Sequence, residues 1–368
     1  MHPDNLVLIQ ICTMLGALGV VMHGVLARPE DHPGKVGPTI FMLLMYITLA
    51  LLIGYRDPRV GTDTEVYKAV VWPSIQNSPS YMAYIQDQTG VSVGGEMYFH
   101  FIKWVGQFVD NFMLFHVVIL FAALWWFAAA VHKGREYLLS AYWLLSLPFW
   151  SLSINILRAG LCVAMLLLAI ASLRKGKGIW AFVWMILGIS FHYSAIVCLA
   201  AFAVAKMVKR RRNLEFALIG VTVHLALLSV VGIDKMVVTS VVEHFGLNIQ
   251  VIDIFYQTGF RWDFALYNLA AYYLMRPVEN AHVDDEYEFC DILLKIYLVL
   301  CGFFFVAFQF PYSDRVGMYS WLLIPIVCFV ESTRVSEYGG IQRKLRVLAL
   351  TAMSMAVQLK GILYPGAL

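Results

Sequence analysis

Apolar residues along this chain gather into blocks, at about 5–27, 37–54, 112–132, 137–153, 156–173, 178–190, 193–208, 214–232, 263–275, 289–309, 318–332 and 346–363. A membrane helix needs roughly 20 predominantly apolar residues to cross a hydrocarbon core of about 30 Å. The pattern therefore predicts an all-α polytopic membrane protein of about twelve membrane-embedded helices, several of them short. Only two polar stretches are long, 55–111 and 233–262, and chemistry is expected there.

Two ionisable residues break the blocks. Arg158 interrupts LPFWSLSINILRAGLCVAMLLLAIASL, and an arginine at mid-membrane costs roughly 2.5 to 3.5 kcal/mol even on lenient insertion scales. His192 lies inside GIWAFVWMILGISFHYSAIVCLAAFAVAKMV, between Arg174, Lys175 and Lys177 on one flank and Lys209 to Arg212 on the other. One helix over 178–208 would be about 46 Å long, and it would put the second basic cluster outside, against the positive-inside rule. Two short helices that enter and return satisfy both constraints, with Phe191-His192-Tyr193-Ser194 at the break. Non-helical backbone at membrane depth has to line protein or water.

Threading the runs with 174–177 and 206–212 inside puts 17 of the 27 Lys and Arg in cytoplasmic loops, with both termini and both long loops outside. Composition agrees: 60% hydrophobic, 14% charged, and a mean hydropathy of +0.72 exclude a water-soluble globular domain. The aromatic share of 14% suits interfacial belts and a sugar-stacking or lipid-contacting cavity. A net charge of +3 carries no nucleic-acid signal. The six cysteines are scattered without metal-type spacing and read as packing residues. MHPDN lacks a basic n-region, so the first run is expected to stay as a membrane helix. No internal repeat is visible, and residues 1–368 are treated as one domain.

By this threading Arg56, Arg59, Arg158, Arg261 and Arg315 converge on the outer half of the membrane, and arginine's planar fork suits a phosphate-bearing or polyanionic ligand. The plainer alternative is that each pairs a neighbouring carboxylate, as Arg261 with Asp263 or Arg315 with Asp314, or snorkels to the interface. His192 is a candidate general base, or else a hydrogen-bonded residue joining two short helices. Asp63, Glu96 and Asp263 are rival bases or orienting groups, and equally ordinary loop ion-pair residues. Glu96, His100, Lys103 and Gln107 recur at helical spacing, which predicts an amphipathic helix at the membrane surface. The acidic run DDEYE (284–288) reads as a solvated cytoplasmic loop. No P-loop, GxGxxG, HExxH or nucleophile-elbow pattern occurs.

RVGTDTEVY (59–67), Gly95-Glu96 with its aromatic helix, NILRAGLCVA (155–164), ISFHYSAI (189–196), FRWDFALYN (260–268) and DRVGMY (314–319) follow one another in this order. In that order they make the chain resemble the EpsG-like branch of the Wzy-type polysaccharide polymerases, over about three quarters of its length. One departure is Ala159, where the family pattern has glutamine after the arginine of Asn-x-x-Arg. The resemblance implies a multi-pass enzyme of the bacterial cytoplasmic (inner) membrane with an outward-facing, periplasmic site, serving O-antigen, capsule or exopolysaccharide synthesis. It would transfer a growing glycan from undecaprenyl pyrophosphate to a sugar hydroxyl of the next lipid-linked repeat unit, with no cofactor and no metal. Expected partners are undecaprenyl-pyrophosphate-linked oligosaccharides, membrane lipid and a Wzz-type chain-length regulator.

In that reading Arg158 and Arg261 hold the pyrophosphate, with Arg56, Arg59 and Arg315 in support. His192 acts as base or orients the acceptor, and Asp63 and Glu96 serve as rival catalytic groups. Asp263, Tyr67, Asn155, Tyr193 and Trp262 bind or orient sugar. Two other classes remain open: a transporter or flippase of lipid-linked glycans, which should carry repeated halves, and a membrane acyltransferase, in which a histidine activates the acceptor hydroxyl.

Overall fold

The computed structural model of the chain describes residues 3–26, 36–61, 64–87, 95–132, 134–231, 260–276, 285–308, 313–338 and 341–363. Their secondary structure is entirely helical. Seven helices among the described residues are long and apolar enough to cross a membrane: Asn5–Leu26, Val36–Gly54, Phe112–Val131, Leu157–Arg174, Arg211–Val231, Tyr287–Ala307 and Asp314–Ser332. The expected dozen counted five further apolar runs that do not reach this length and composition. Residues 137–153 are bent by 90° between Glu136–Leu144 and Pro148–Asn155, and would make an eighth span if taken together. Pro148 lacks the N–H that would continue the preceding helix, while Leu147 before it keeps helical backbone at φ −52° and ψ −44°. The runs around 178–190, 193–208 and 263–275 form helices of 14, 12 and 14 residues, each about 21 Å long or less. The last run lies in a helix with interleaved polar positions, Ile341–Leu363.

The chain groups into two compact units, Met1–Ala195 with Glu331–Leu368, and Ile196–Val330. In the first, α1 (Pro3–Leu26) packs on α2 (Val36–Gly54), and the 55–111 stretch contributes α3 (Tyr81–Asp87) and α4 (Glu96–Val105). Then come α5 (Phe112–Val131), α6 (Glu136–Leu144), α7 (Leu157–Arg174) and α8 (Gly178–Phe191), with α7 lying against both α5 and α8. Helix α5, FMLFHVVILFAALWWFAAAV, is apolar around its whole circumference, the pattern of a helix buried in protein or lipid on every side.

Asn111 closes the base of the first long loop. Its side-chain oxygen accepts from Leu114 N at 3.1 Å, capping α5, while its Nδ2 donates to Gly54 O at the end of α2, 2.9 Å away. The loop's two roots are thereby tied together.

In the second unit, α9 (Ile196–Met207), α10 (Arg211–Val231) and α11 (Trp262–Met275) all contact α12 (Asp285–Ala307), which also packs on α13 (Asp314–Trp321). The acidic run expected as a loop therefore enters a helix from Asp285 onward. At its basic end Asp291 receives Arg211 at 2.7 Å and Lys295 at 3.0 Å. Asn268 anchors the interior, its Oδ1 accepting from Tyr297 Oη at 3.1 Å. The chain continues through α14 (Leu323–Tyr338) to α15 (Ile341–Leu363), which packs on α1.

Candidate functional site

The backbone before Arg158 is unusual. One α-turn, Pro148–Trp150, runs into a π-helical turn, Ser151–Asn155, closed by Ile156 N to Ser151 O at 2.9 Å. Such turns are rare and frequent at functional sites. Ile156 leaves helical geometry at φ −105° and ψ 65°, and α7 begins at the next residue with no side-chain cap. Arg158 thus sits in the first turn of a membrane helix, at the end where N–H groups point outward.

The 55–111 stretch packs onto this helix end as an aromatic cluster. Tyr67, Tyr84, Tyr98, Phe99, Phe112 and Phe191 are buried there with Leu157 and Leu161, with Trp72 and Tyr81 packed against them. Arg158 Nε donates to Tyr67 Oη at 2.6 Å. The guanidinium carbon also stands 5.8 Å from the ring centroids of both Tyr67 and Tyr98, within cation–π range. Tyr98 Oη lies 3.4 Å from His116 Nε2, and His116 Nδ1 is 2.6 Å from Phe112 O. Since a carbonyl only accepts, Nδ1 carries the proton and a neutral ring accepts from Tyr98. Tyr84 is 1% exposed and its hydroxyl has no hydrogen-bond partner among the described residues. Burial pushes its phenol above the usual range, against the pull of the Arg158 charge.

Arg56 is a fastener in this arrangement. It is 3% exposed; Nε donates to Val60 O at 3.1 Å, Nη1 to Ile53 O at 2.7 Å, and Nη2 to both Thr64 Oγ1 at 2.8 Å and Ile154 O at 2.7 Å. Thr64 Oγ1 also donates to Ile154 O at 2.9 Å. These bonds tie the start of the 55–111 stretch to the π-turn that presents Arg158. Gly61 completes the knot. Its φ is +110°, and a Cβ there would lie 2.8 Å from Thr64 Oγ1 and 2.9 Å from Asn155 Oδ1, so the motif requires glycine and brings Asn155 to it.

A second close approach joins α4 to the end of α8. A Cβ on Gly95 would meet Ser190 O at 2.4 Å, which leaves glycine as the one residue that fits. Glu96 follows at the amino end of α4 and lies 3.7 Å from His100. Tyr81 is raised above the usual tyrosine range by burial and by its hydrogen bond to Tyr193, with Glu96 adding to the shift. The expected amphipathic helix is observed at Glu96–Val105, burying Tyr98, Phe99, Ile102 and Val105. The break at His192 is also observed: its backbone is extended (φ −149°, ψ 109°), a 3-10 turn follows over Tyr193–Ala195, and its Nδ1 lies 2.6 Å from Ser194 Oγ.

Arg59 is exposed and pairs with Asp57 at 2.8 Å, and that carboxylate raises its basicity. In the second unit Arg261 pairs with Asp263 at 2.8 Å and lies 4.4 Å from the Phe264 ring centroid; Trp262 is exposed and packs edge-on against Phe260. Arg315 occupies the first turn of α13. Asp63 lies outside the described residues, as does most of the 233–262 loop. Tyr84 and Tyr98 were missed in the sequence because a chain with 19 tyrosines offers no local signal that singles them out; the pairing of Tyr81 with Tyr84 three residues on was the only hint.

Seven helices long and apolar enough to cross a membrane among the described residues, with a π-turn that presents an arginine to a cluster of buried tyrosines, fit a polytopic membrane protein. The chain belongs to the EpsG family, whose model matches residues 39–364, a family of Wzy-type polysaccharide polymerases. No curated protein and no solved structure matches it.

Proposed function

We propose that this protein extends glycans by transferring the growing chain from undecaprenyl pyrophosphate to a sugar hydroxyl of an incoming lipid-linked repeat unit, at the outer face of the cytoplasmic membrane. The observation that carries this reading is the seat of Arg158. A fixed guanidinium, oriented by Tyr67 at the amino end of a membrane helix, is a seat for a multiply charged phosphate group. Phenol and indole faces nearby suit sugar rings.

In the transfer, the acceptor oxygen forms a bond to the anomeric carbon while the bond from that carbon to the pyrophosphate oxygen breaks. The leaving oxygen keeps the electron pair, and undecaprenyl pyrophosphate departs. The hydroxyl proton passes to a base, for which we assign His192, with Glu96 and Asp63 as the alternatives. Arg158 stabilises the charge on the leaving group, often the largest contribution to such catalysis, supported by Arg59. Arg56, with its donors spent on main-chain and threonine oxygens, is assigned to holding the site together. Sugar contacts fall to Tyr67, Asn155 and Tyr193. We propose that no metal takes part: among the described residues no three His, Cys, Asp or Glu side chains gather where they could hold one.

The test supplies purified protein with lipid-linked repeat units in detergent and no nucleotide sugar. A ladder of longer glycans on lipid supports the reading. No ladder from folded protein refutes it; transbilayer movement of the unchanged substrate would indicate a flippase, and acylated sugar an acyltransferase.

A further inference from the structure

A second site, separate from Arg158, opens at the other end of the same helix. Helices α5, α7 and α8 enclose a groove of about 540 Å³, within the roughly 300–1,000 Å³ range of small-molecule sites. At its polar end stand Lys175 and Lys177, both exposed, in the turn between α7 and α8. Trp126, Trp180 and Trp184 flank them, with Trp126 65% and Trp180 57% exposed. Indoles at this level mark the headgroup and glycerol region of a bilayer. Deeper in, the walls are Ile119, Met165 and Leu168.

Charge decides what fits. No Asp or Glu occurs between Glu136 and Glu215, and none between Asp110 and Glu136, so the three helices that wall the groove contain no carboxylate. Neither lysine meets an anionic partner among the described residues. Length narrows the choice further. From Lys175 to Met165 is ten residues along α7, or about 15 Å, half of a roughly 30 Å hydrocarbon core and so the depth of one leaflet. A free phosphate has no use for the apolar half, and a polyprenyl chain is far longer than the groove.

We propose that this groove is a binding site for an anionic glycerophospholipid of the leaflet at the 174–177 turn. Its phosphate sits between Lys175 and Lys177, its glycerol among the three indoles, and one acyl chain lies along Met165 and Ile119. The lipid clamps the carboxyl end of the helix whose first turn holds Arg158. The proposal does not depend on the polymerase reading.

The test places the full chain in phosphatidylcholine vesicles doped with a phospholipid brominated on its acyl chain, which quenches nearby indoles. Brominated phosphatidylglycerol is expected to quench more than the same fraction of brominated phosphatidylcholine. The excess should fall away in Lys175→Ala/Lys177→Ala, with affinity about thirtyfold weaker at about fivefold per lysine, and persist in Lys175→Arg/Lys177→Arg. It should also vanish in Trp126→Phe/Trp180→Phe/Trp184→Phe, which locates the signal in the groove. Equal quenching by the two lipids, an excess that survives either the alanine or the phenylalanine variant, or relief of quenching by undecaprenyl phosphate as effective as by unbrominated phosphatidylglycerol would each overturn it.

Discussion

Replacing Arg56 by lysine probes the knot that presents the site. The guanidinium makes four hydrogen bonds, to oxygens from three separated segments around Ile53, Val60–Thr64 and Ile154. Burial holds it down to about 10, so keeping it charged at neutral pH costs roughly 3 kcal/mol, which those bonds offset. A lysine is still a buried cation, but its ammonium is a single point that cannot span acceptors spaced for a planar fork. Losing two such bonds at about 1.5 kcal/mol each, the low end for a charged partner, removes about 3 kcal/mol. For a unit of this size that lowers the unfolding midpoint by roughly 6–12 °C. The assay is thermal unfolding in detergent followed by tryptophan fluorescence, with polymer formation per folded molecule measured well below the midpoint. Thr64→Val should cost less and be non-additive with Arg56→Lys, since both residues donate to Ile154 O. A midpoint for Arg56→Lys within about 2 °C of the parent, or strict additivity, would refute the fastening role.

Three further substitutions separate orientation from folding. Tyr67→Phe keeps the ring beside Arg158 but removes the 2.6 Å hydrogen bond; loss of about 1.4 kcal/mol of alignment should slow polymerisation about tenfold with little change in unfolding. Tyr84→Phe deletes a buried hydroxyl that has no partner among the described residues, so the protein should gain about 1–3 kcal/mol of stability while polymerisation slows; unchanged activity would remove Tyr84 from the site. Gly95→Ala drives a methyl against Ser190 O at 2.4 Å and should destabilise by about 1–3 kcal/mol, read as a lowered midpoint and weakened polymer formation.

Arg158 and His192 were legible in the sequence because each is an ionisable residue in an apolar block, where the membrane makes polarity conspicuous. The helical break at His192 followed from basic clusters on both flanks, and the amphipathic α4 from its spacing. Arg56 was not legible as a fastener: its partners are mostly main-chain carbonyls, which leave no trace in side-chain pattern, and its place beside Arg59 suggested a phosphate grip instead. The count of about twelve helices exceeded the seven long spans because an apolar run tells burial but not direction. The 137–153 run turns through 90° at Pro148, and the short runs at 178–208 and 263–275 are apolar without being long. Tyr84 and Tyr98 became visible only once the 55–111 stretch folded onto α7, a contact between residues that lie about 60 to 75 positions apart in sequence.

In the proposed mechanism the Arg158 guanidinium stabilises the charge on the leaving pyrophosphate while His192 receives the acceptor's proton. The most direct test is a single-turnover measurement of undecaprenyl pyrophosphate released per linkage formed, in the parent protein, Arg158→Lys and His192→Ala at equal folded concentration. One pyrophosphate lipid should appear for each new linkage, with His192→Ala slowed about 10²- to 10⁴-fold and Arg158→Lys slowed about 10²-fold or more. Parent-like rates in both variants would contradict the assignment, and linkages formed without pyrophosphate release would contradict the reaction itself.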